Sequence, residues 1–260
     1  MTEIGTFEAA LRSTRETGRK ILVPYLTGGL GDDWLETIQA VADAGADGIE
    51  IGIPFSDPVM DGPTIQEAND RALDAGVTPH SVLNTLRDAD IGVPLAVMTY
   101  YNIAFRAGHE RFAADLASAG VSAAILPDLP LEETGPWAAA ADAAGVETIL
   151  LAAPTAPDER LTRICERSRG FVYGVGLLGI TGVRSELAQS AMDIAGRLKT
   201  VTDKPVLIGV GVGTPEQAVE VSAVSDGVVV GSAIVNRMLS GVGPEGVAEL
   251  VGDFRDALDG

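Results

Sequence analysis

Asp47-Gly48-Ile49-Glu50-Ile51-Gly52-Ile53-Pro54 is the stretch that decides the fold. By the two-residue period of extended chain, Ile49, Ile51 and Ile53 alternate onto one face, the side that receives helices. Gly48, Glu50 and Gly52 then share the opposite face and point into a barrel interior. A carboxylate in that position costs several kcal/mol to bury if it is ionised and unpaired. No strand of the chain offers an inward-facing Arg or Lys to neutralise it, which marks Glu50 as a candidate active-site acid.

Outward from this stretch, short β-prone runs recur at Ile21–Leu26, Gly48–Ile53, Pro94–Met98, Ala123–Leu126, Thr148–Ala152, Phe171–Val175, Val206–Val210 and Gly227–Val230, eight in all. Stretches of helical period lie between them, among them Asp33–Ala44, His109–Ala119, Glu132–Ala144, Asp158–Arg167 and Pro215–Val221. Ala44-Gly45, Ala119-Gly120 and Ala144-Gly145 read as helix ends, while Asp32, Thr78, Pro157 and Thr214-Pro215 read as helix starts. A leading helix, Thr6–Thr17, is expected to cover the barrel bottom. No linker or charge block interrupts the series. The expectation is α/β: a single (β/α)₈ TIM barrel with an extra N-terminal helix, one domain over residues 1–260. A doubly wound open sheet is the alternative.

Composition agrees. Hydrophobic residues make up 46% and aromatics 5%, so Ala, Val, Ile and Leu must fill the interior, as in layered α/β packing. A net charge of −19 argues against nucleic acid or an anionic membrane as partner. Lys20, Lys199 and Lys204 are the only lysines, and an acidic, lysine-poor surface suits solubility in concentrated salt as well as an ordinary acidic enzyme. Cys165 is alone, which excludes a disulfide framework within the chain. Met1 to Phe7 lacks the basic and apolar regions of a signal peptide, and no apolar run reaches membrane-spanning length, so the cytoplasm is the expected location.

In such a barrel the chemistry belongs to the loops after the strands. The loop Pro54–Gln66 is long, rich in Pro and Gly, and of the kind that serves as a lid. It adds Asp57 and Asp61 just beyond Glu50. Asp61-Gly62-Pro63 alone reads equally as a turn, but two carboxylates in different surroundings can divide acid and base roles. Glycine-rich segments follow the last three strands: Gly179-Ile180-Thr181-Gly182, Gly209–Gly213 and Gly231-Ser232-Ala233. Backbone N–H groups there, with a short helix starting at Ser232, form a phosphate site where barrels commonly place one.

A Schiff-base mechanism needs a lysine at a strand's carboxyl end, and all three lysines fall at the opposite face. His80 and His109, the only histidines, lie near helix starts, so no metal site is expected. Neither a G-x-S-x-G elbow nor a Walker A sequence occurs. Carboxylate and phenol chemistry on a phosphorylated substrate remains, with Tyr173 either the phenol or a core aromatic.

The chain resembles the α-subunit family of tryptophan synthase, from Ile21–Thr27 through Val229–Val235. The most specific part is Glu50-Ile51-Gly52-Ile53-Pro54-Phe55-Ser56-Asp57-Pro58, continued by Asp61–Gln66. Further agreement lies in Met98–Asn102, Pro127–Pro130 and Ala153–Arg160. The resemblance implies retro-aldol cleavage of indole-3-glycerol phosphate to indole and glyceraldehyde 3-phosphate. It implies that Glu50 acts at indole C3 and the glycerol hydroxyl, that Asp61 holds the indole N–H, and that Tyr173 is an active-site tyrosine. Phosphate is expected at Gly182, Gly211, Gly231 and Ser232. The implied partner is a pyridoxal-phosphate β subunit in an αββα heterotetramer, met by the loops around Asp57 and Asn102, with no cofactor in this chain. Gly28–Asp32, Met60, Ile103 and Gly174–Leu178 depart from the family pattern and bear on loop behaviour and coupling to the partner. A stand-alone lyase and a non-catalytic regulatory barrel are the alternatives.

Overall fold

The computed structural model describes residues 4–176, 184–209 and 211–260, with the backbone alone for 184–188. Parallel strands β1 (Ile21–Thr27), β2 (Ile49–Gly52), β3 (Leu95–Met98) and β4 (Val121–Ile125) are followed by β5 (Glu147–Ala152), β6 (Val172–Gly174), β7 (Val206–Ile208) and β8 (Gly227–Val230). They pair in sequence order, and β8 closes onto β1 to complete the barrel. Every strand expected from the sequence is present, with ends shifted by a residue or two. The ladder around β2 outlasts its formal bounds, since the Ile53 N–H still donates to the Met98 carbonyl at 2.9 Å.

The described helices are α1 (Thr6–Glu16), α2 (Trp34–Asp43), α3 (Pro63–Asp74), α4 (Pro79–Arg87), α5 (Tyr101–Ala107) and α6 (His109–Ser118). They continue with α7 (Gly135–Ala143), α8 (Asp158–Arg167), α9 (Arg184–Lys199), α10 (Pro215–Ser222), α11 (Ser232–Leu239) and α12 (Gly243–Asp259). Thr78 and Thr214 start α4 and α10 through reciprocal capping with Ser81 and Gln217. Asp32 does not cap α2; Asp33 occupies that place, without a side-chain cap bond. The lid is shorter than expected. Pro63 enters α3 at its first turn, where its fixed φ and missing N–H fit, so the irregular segment ends at Gly62. No helix among the described residues is long and apolar enough to cross a membrane.

The two faces of β2 divide as its alternation requires. Ile49, Ile51 and Ile53 join the core between strands and helices. Inside the barrel, Ile21, Val23, Ala96, Ile125, Ile149 and Leu207 pack with Phe7 and Leu11 of α1, which plugs the bottom. A Cβ on Gly48 would stand 2.9 Å from the Phe7 ring, so a side chain there would push the plug away. Glu147, at the start of β5, anchors α1 by accepting the N–H groups of Phe7 (2.6 Å) and Glu8 (3.0 Å).

The lysines lie at this bottom end, as the sequence placed them. Lys20 donates to the Ser225 carbonyl, Lys199 to Asp226, and Lys204 to the carbonyls of Cys165 and Ser168 at the end of α8.

Candidate active site

At the other end of the barrel the interior is polar. Glu50 is 1% exposed, and neither of its carboxylate oxygens has a hydrogen-bond partner among the described residues. Its pKa is raised from 4.5 to about 8, first by burial and then by the charge of Asp61. Loss of hydration disfavours the carboxylate, and a second carboxylate nearby disfavours it further. The group is therefore a carboxylic acid at neutral pH.

Asp61 is positioned by an aromatic residue from the next strand unit. The Tyr100 hydroxyl donates to Asp61 at 2.9 Å and accepts the Met60 N–H at 2.9 Å, while its ring stacks on Phe55 at 4.9 Å. Tyr100 so fastens both ends of the lid segment. Burial raises the Asp61 pKa and the Tyr100 hydrogen bond partly offsets this. Asp61 keeps a donor and is only half-buried, whereas Glu50 is fully buried with no donor among the described residues, so the two carboxyls sit in different surroundings.

Two buried phenols face Glu50. Tyr25 comes from β1, where Glu50 is its register partner, and Tyr173 from β6. Burial, then nearby carboxylates, holds both well above the ordinary tyrosine value, so both stay protonated. Tyr173 feels the Glu50 charge and also packs on Phe171, with ring centroids 5.6 Å apart, in the core cluster inside the barrel.

The glycines of the last two loops adjoin this cluster. Gly231 precedes α11, whose first residue is the exposed Ser232, and the Tyr25 Cβ lies 3.9 Å from where a Gly231 Cβ would be. Gly211 is exposed with φ +88°, a conformation that favours glycine. The Gly213 N–H is taken by the Gln217 side chain at 2.8 Å. Gly182 lies outside the described residues.

Asp57 and Asn102 stand apart from the buried cluster. Asp57 is exposed on the lid and accepts the Ser56 hydroxyl at 2.6 Å, and Asn102 is exposed on α5. The histidines bond to neighbours on the outside: His80 to Asn84, His109 to the Tyr101 hydroxyl, each at 2.9 Å. A cleft of about 510 Å³ opens outside the barrel between α4, α5 and α6, so volume alone does not locate the carboxylates.

Sequence reasoning assigned no role to Tyr25, Phe55 or Tyr100. A signal for Tyr25 existed, because Ile21, Val23 and Tyr25 alternate onto the inner face of β1. Tyr100 follows β3 by two residues, at the chemical end of the barrel, but its bond to Asp61 crosses to another loop.

The family model for the tryptophan synthase alpha chain matches residues 11–249. Among curated relatives, the tryptophan synthase alpha chain of Streptomyces coelicolor is 43% identical over 258 residues, covering 96% of this chain and 95% of its own. That of Thermobifida fusca is 44% identical over 254 residues, covering 95% and 94%. A solved tryptophan synthase structure from Mycobacterium tuberculosis superimposes with a TM-score of 0.91 at 38% identity, covering 98% of this chain and 99% of that one. The alpha chain from Legionella pneumophila does so with 0.87 at 31% identity, covering 99% and 98%.

Proposed function

The chain belongs to the tryptophan synthase alpha chain family, and from that premise we propose that Glu50, with Asp61, carries out its reaction. The family reaction is a carbon–carbon lyase step of tryptophan biosynthesis, the retro-aldol cleavage of indole-3-glycerol phosphate. The observation that carries the assignment is the buried Glu50 carboxyl, which has no hydrogen-bond partner among the described residues and whose pKa is raised by burial and by Asp61.

Glu50 gives its proton to indole C3, and the ring becomes a cation whose N–H Asp61 accepts. The Glu50 carboxylate then removes the proton from the hydroxyl on the carbon attached to C3. That carbon becomes the aldehyde of glyceraldehyde 3-phosphate as its bond to C3 breaks, and the electron pair returns to the ring. Indole leaves with the proton first given to C3, and Glu50 ends as it began. Protonating the ring provides the electron sink that a lysine or metal provides elsewhere. Tyr173 borders the reacting carbons, and Gly182, Gly211, Gly231 and Ser232 hold the phosphate through backbone N–H groups.

The family implies a β-subunit partner. We assign αββα assembly, with contacts through the loops of Asp57 and Asn102. Exposed apolar side chains beside them, Val59 (83%), Met60 (46%) and Phe105 (63%), suit a covered face. Pyridoxal phosphate belongs to that partner, since the three lysines here are engaged at the barrel bottom. The chain acts as one domain, residues 1–260, in the cytoplasm.

Indole release from indole-3-glycerol phosphate, with and without β subunit, tests the reading. Wild type is expected to be active and to gain from the partner, and Glu50→Gln to lose about 10²–10⁴-fold, the scale of acid–base catalysis. A wild-type protein inactive in both conditions overturns it. Activity retained in Glu50→Gln removes Glu50 from its role, and indifference to the partner favours the stand-alone lyase.

A further inference from the structure

Two tyrosines enter the barrel mouth by the same device. Tyr25 on β1 is in register with Glu50 on β2, and Tyr173 on β6 with Leu207 on β7. Each ring leans across the neighbouring strand onto the glycine two residues further on. A Cβ on Gly52 would fall onto the Tyr25 hydroxyl, and a Cβ on Gly209 onto the Tyr173 hydroxyl. The glycines are thus the seats of the phenols. The Tyr173 seat lies on the β7 side, away from β2. The Tyr25 seat is on the acid's own strand, on the same inner face, one inward position beyond Glu50.

Glu50 becomes a carboxylate halfway through the reaction described above. A buried carboxylate needs a donor, and its oxygens have none among the described residues. The titratable groups facing it are Asp61 from the lid, Tyr25 from β1 and Tyr173 from β6. Asp61 is an acceptor already bonded to Tyr100, so the phenols are the donors, and Tyr25 is the one in register.

We propose that Tyr25 is a positioning residue for this reaction: its hydroxyl, seated over Gly52, donates to the Glu50 carboxylate formed mid-reaction and aims it at the glycerol hydroxyl. The proposal rests on the assignment of Glu50 and extends it. The Tyr25 proton stays in place throughout, because burial and two carboxylates oppose its loss.

Carboxyl-¹³C labelling of glutamate reads the Glu50 titration directly, the Glu50 resonance being the one lost in Glu50→Gln. In Tyr25→Phe, which keeps the ring and removes the donor, the Glu50 midpoint is expected to rise by about one pH unit, a tenfold gain in proton affinity. The turnover of indole release falls about tenfold, with KM within about twofold, because the lost bond exists only after the first proton transfer. Gly52→Ala expels the hydroxyl without altering the tyrosine, and is expected to move the midpoint the same way. An unmoved midpoint in Tyr25→Phe overturns the proposal, whether or not the protein cleaves the substrate. An unmoved midpoint in Gly52→Ala overturns the placement over Gly52. Failure of the reaction assignment is separate: it appears as absent indole release in the wild type.

Discussion

The Glu50 carboxyl titrates near 4.5 in an unfolded chain and at about 8 in the barrel, so between those values the folded protein holds one more proton. The neutral acid's contribution to stability is full below pH 4.5 and is lost as pH rises through the folded value. Glu50→Gln has nothing to ionise when it unfolds. It is therefore expected to be more stable than wild type by on the order of 3 kcal/mol at pH 7, with the difference gone near pH 4. Urea melts at the two pH values check this; a Glu50→Gln protein no more stable than wild type at pH 7 would falsify the burial account. Activity and stability then trade against each other at one residue. Glu50 was legible in the sequence because the isoleucines on either side settle its face. Asp61 was only half legible: its place after β2 was plain, but the hydroxyl that orients it belongs to Tyr100, 39 residues away. That contact is made by barrel closure and leaves no local trace.

At the scale of elements, the strands were the best-read part, since a period of two with glycine or proline at each end is a local property. Helix starts were readable where the cap is local, as at Thr78 and Thr214. The start of α1 at Thr6 was also read, but not what caps it. Its N-cap position, Gly5, has no side chain, and the capping carboxylate is Glu147, 140 residues from Phe7. Burial raises the pKa of Glu147, and the N–H groups of Glu8 and Phe7 recover part of that cost. Glu147→Ala is expected to destabilise the protein by about 2 kcal/mol, since it strands two helix N–H groups that a carboxylate had satisfied. Glu147→Gln keeps an acceptor and should lose less. Denaturant melts give the magnitude, and amide exchange at Phe7 and Glu8 gives the location. Faster exchange confined to α1 is the expected result, and unchanged protection there would remove Glu147 from the anchoring of the plug.

For the whole molecule, closure followed from the count of β/α units, and closure is what gathers Glu50, Tyr173, Gly209 and Gly231 at one end. What the count does not contain is how so acidic a chain holds together. It carries 37 acidic residues against 18 Lys and Arg, so like charges repel over most of the surface. The lysines do not relieve this in the open, because each is bound to carbonyls or to Asp226 at the barrel bottom. The Arg255–Asp47 pair, which clamps α12 to the entrance of β2, is buried, with side chains only 7% and 6% exposed. Salt screens exposed charges strongly and buried pairs weakly, and the screening length falls from about 10 Å at 0.1 M to about 3 Å at 1 M. Added salt should therefore remove more repulsion than attraction. The melting midpoint is expected to climb by several degrees from low salt to about 1 M KCl, with most of the gain in the first few tenths molar if screening is the whole cause. A gain that continues through multimolar KCl would instead point to a surface adapted to concentrated salt. A midpoint that stays level or falls would mean that exposed pairs such as Arg160–Glu132 outweigh the repulsion, which their exposure argues against.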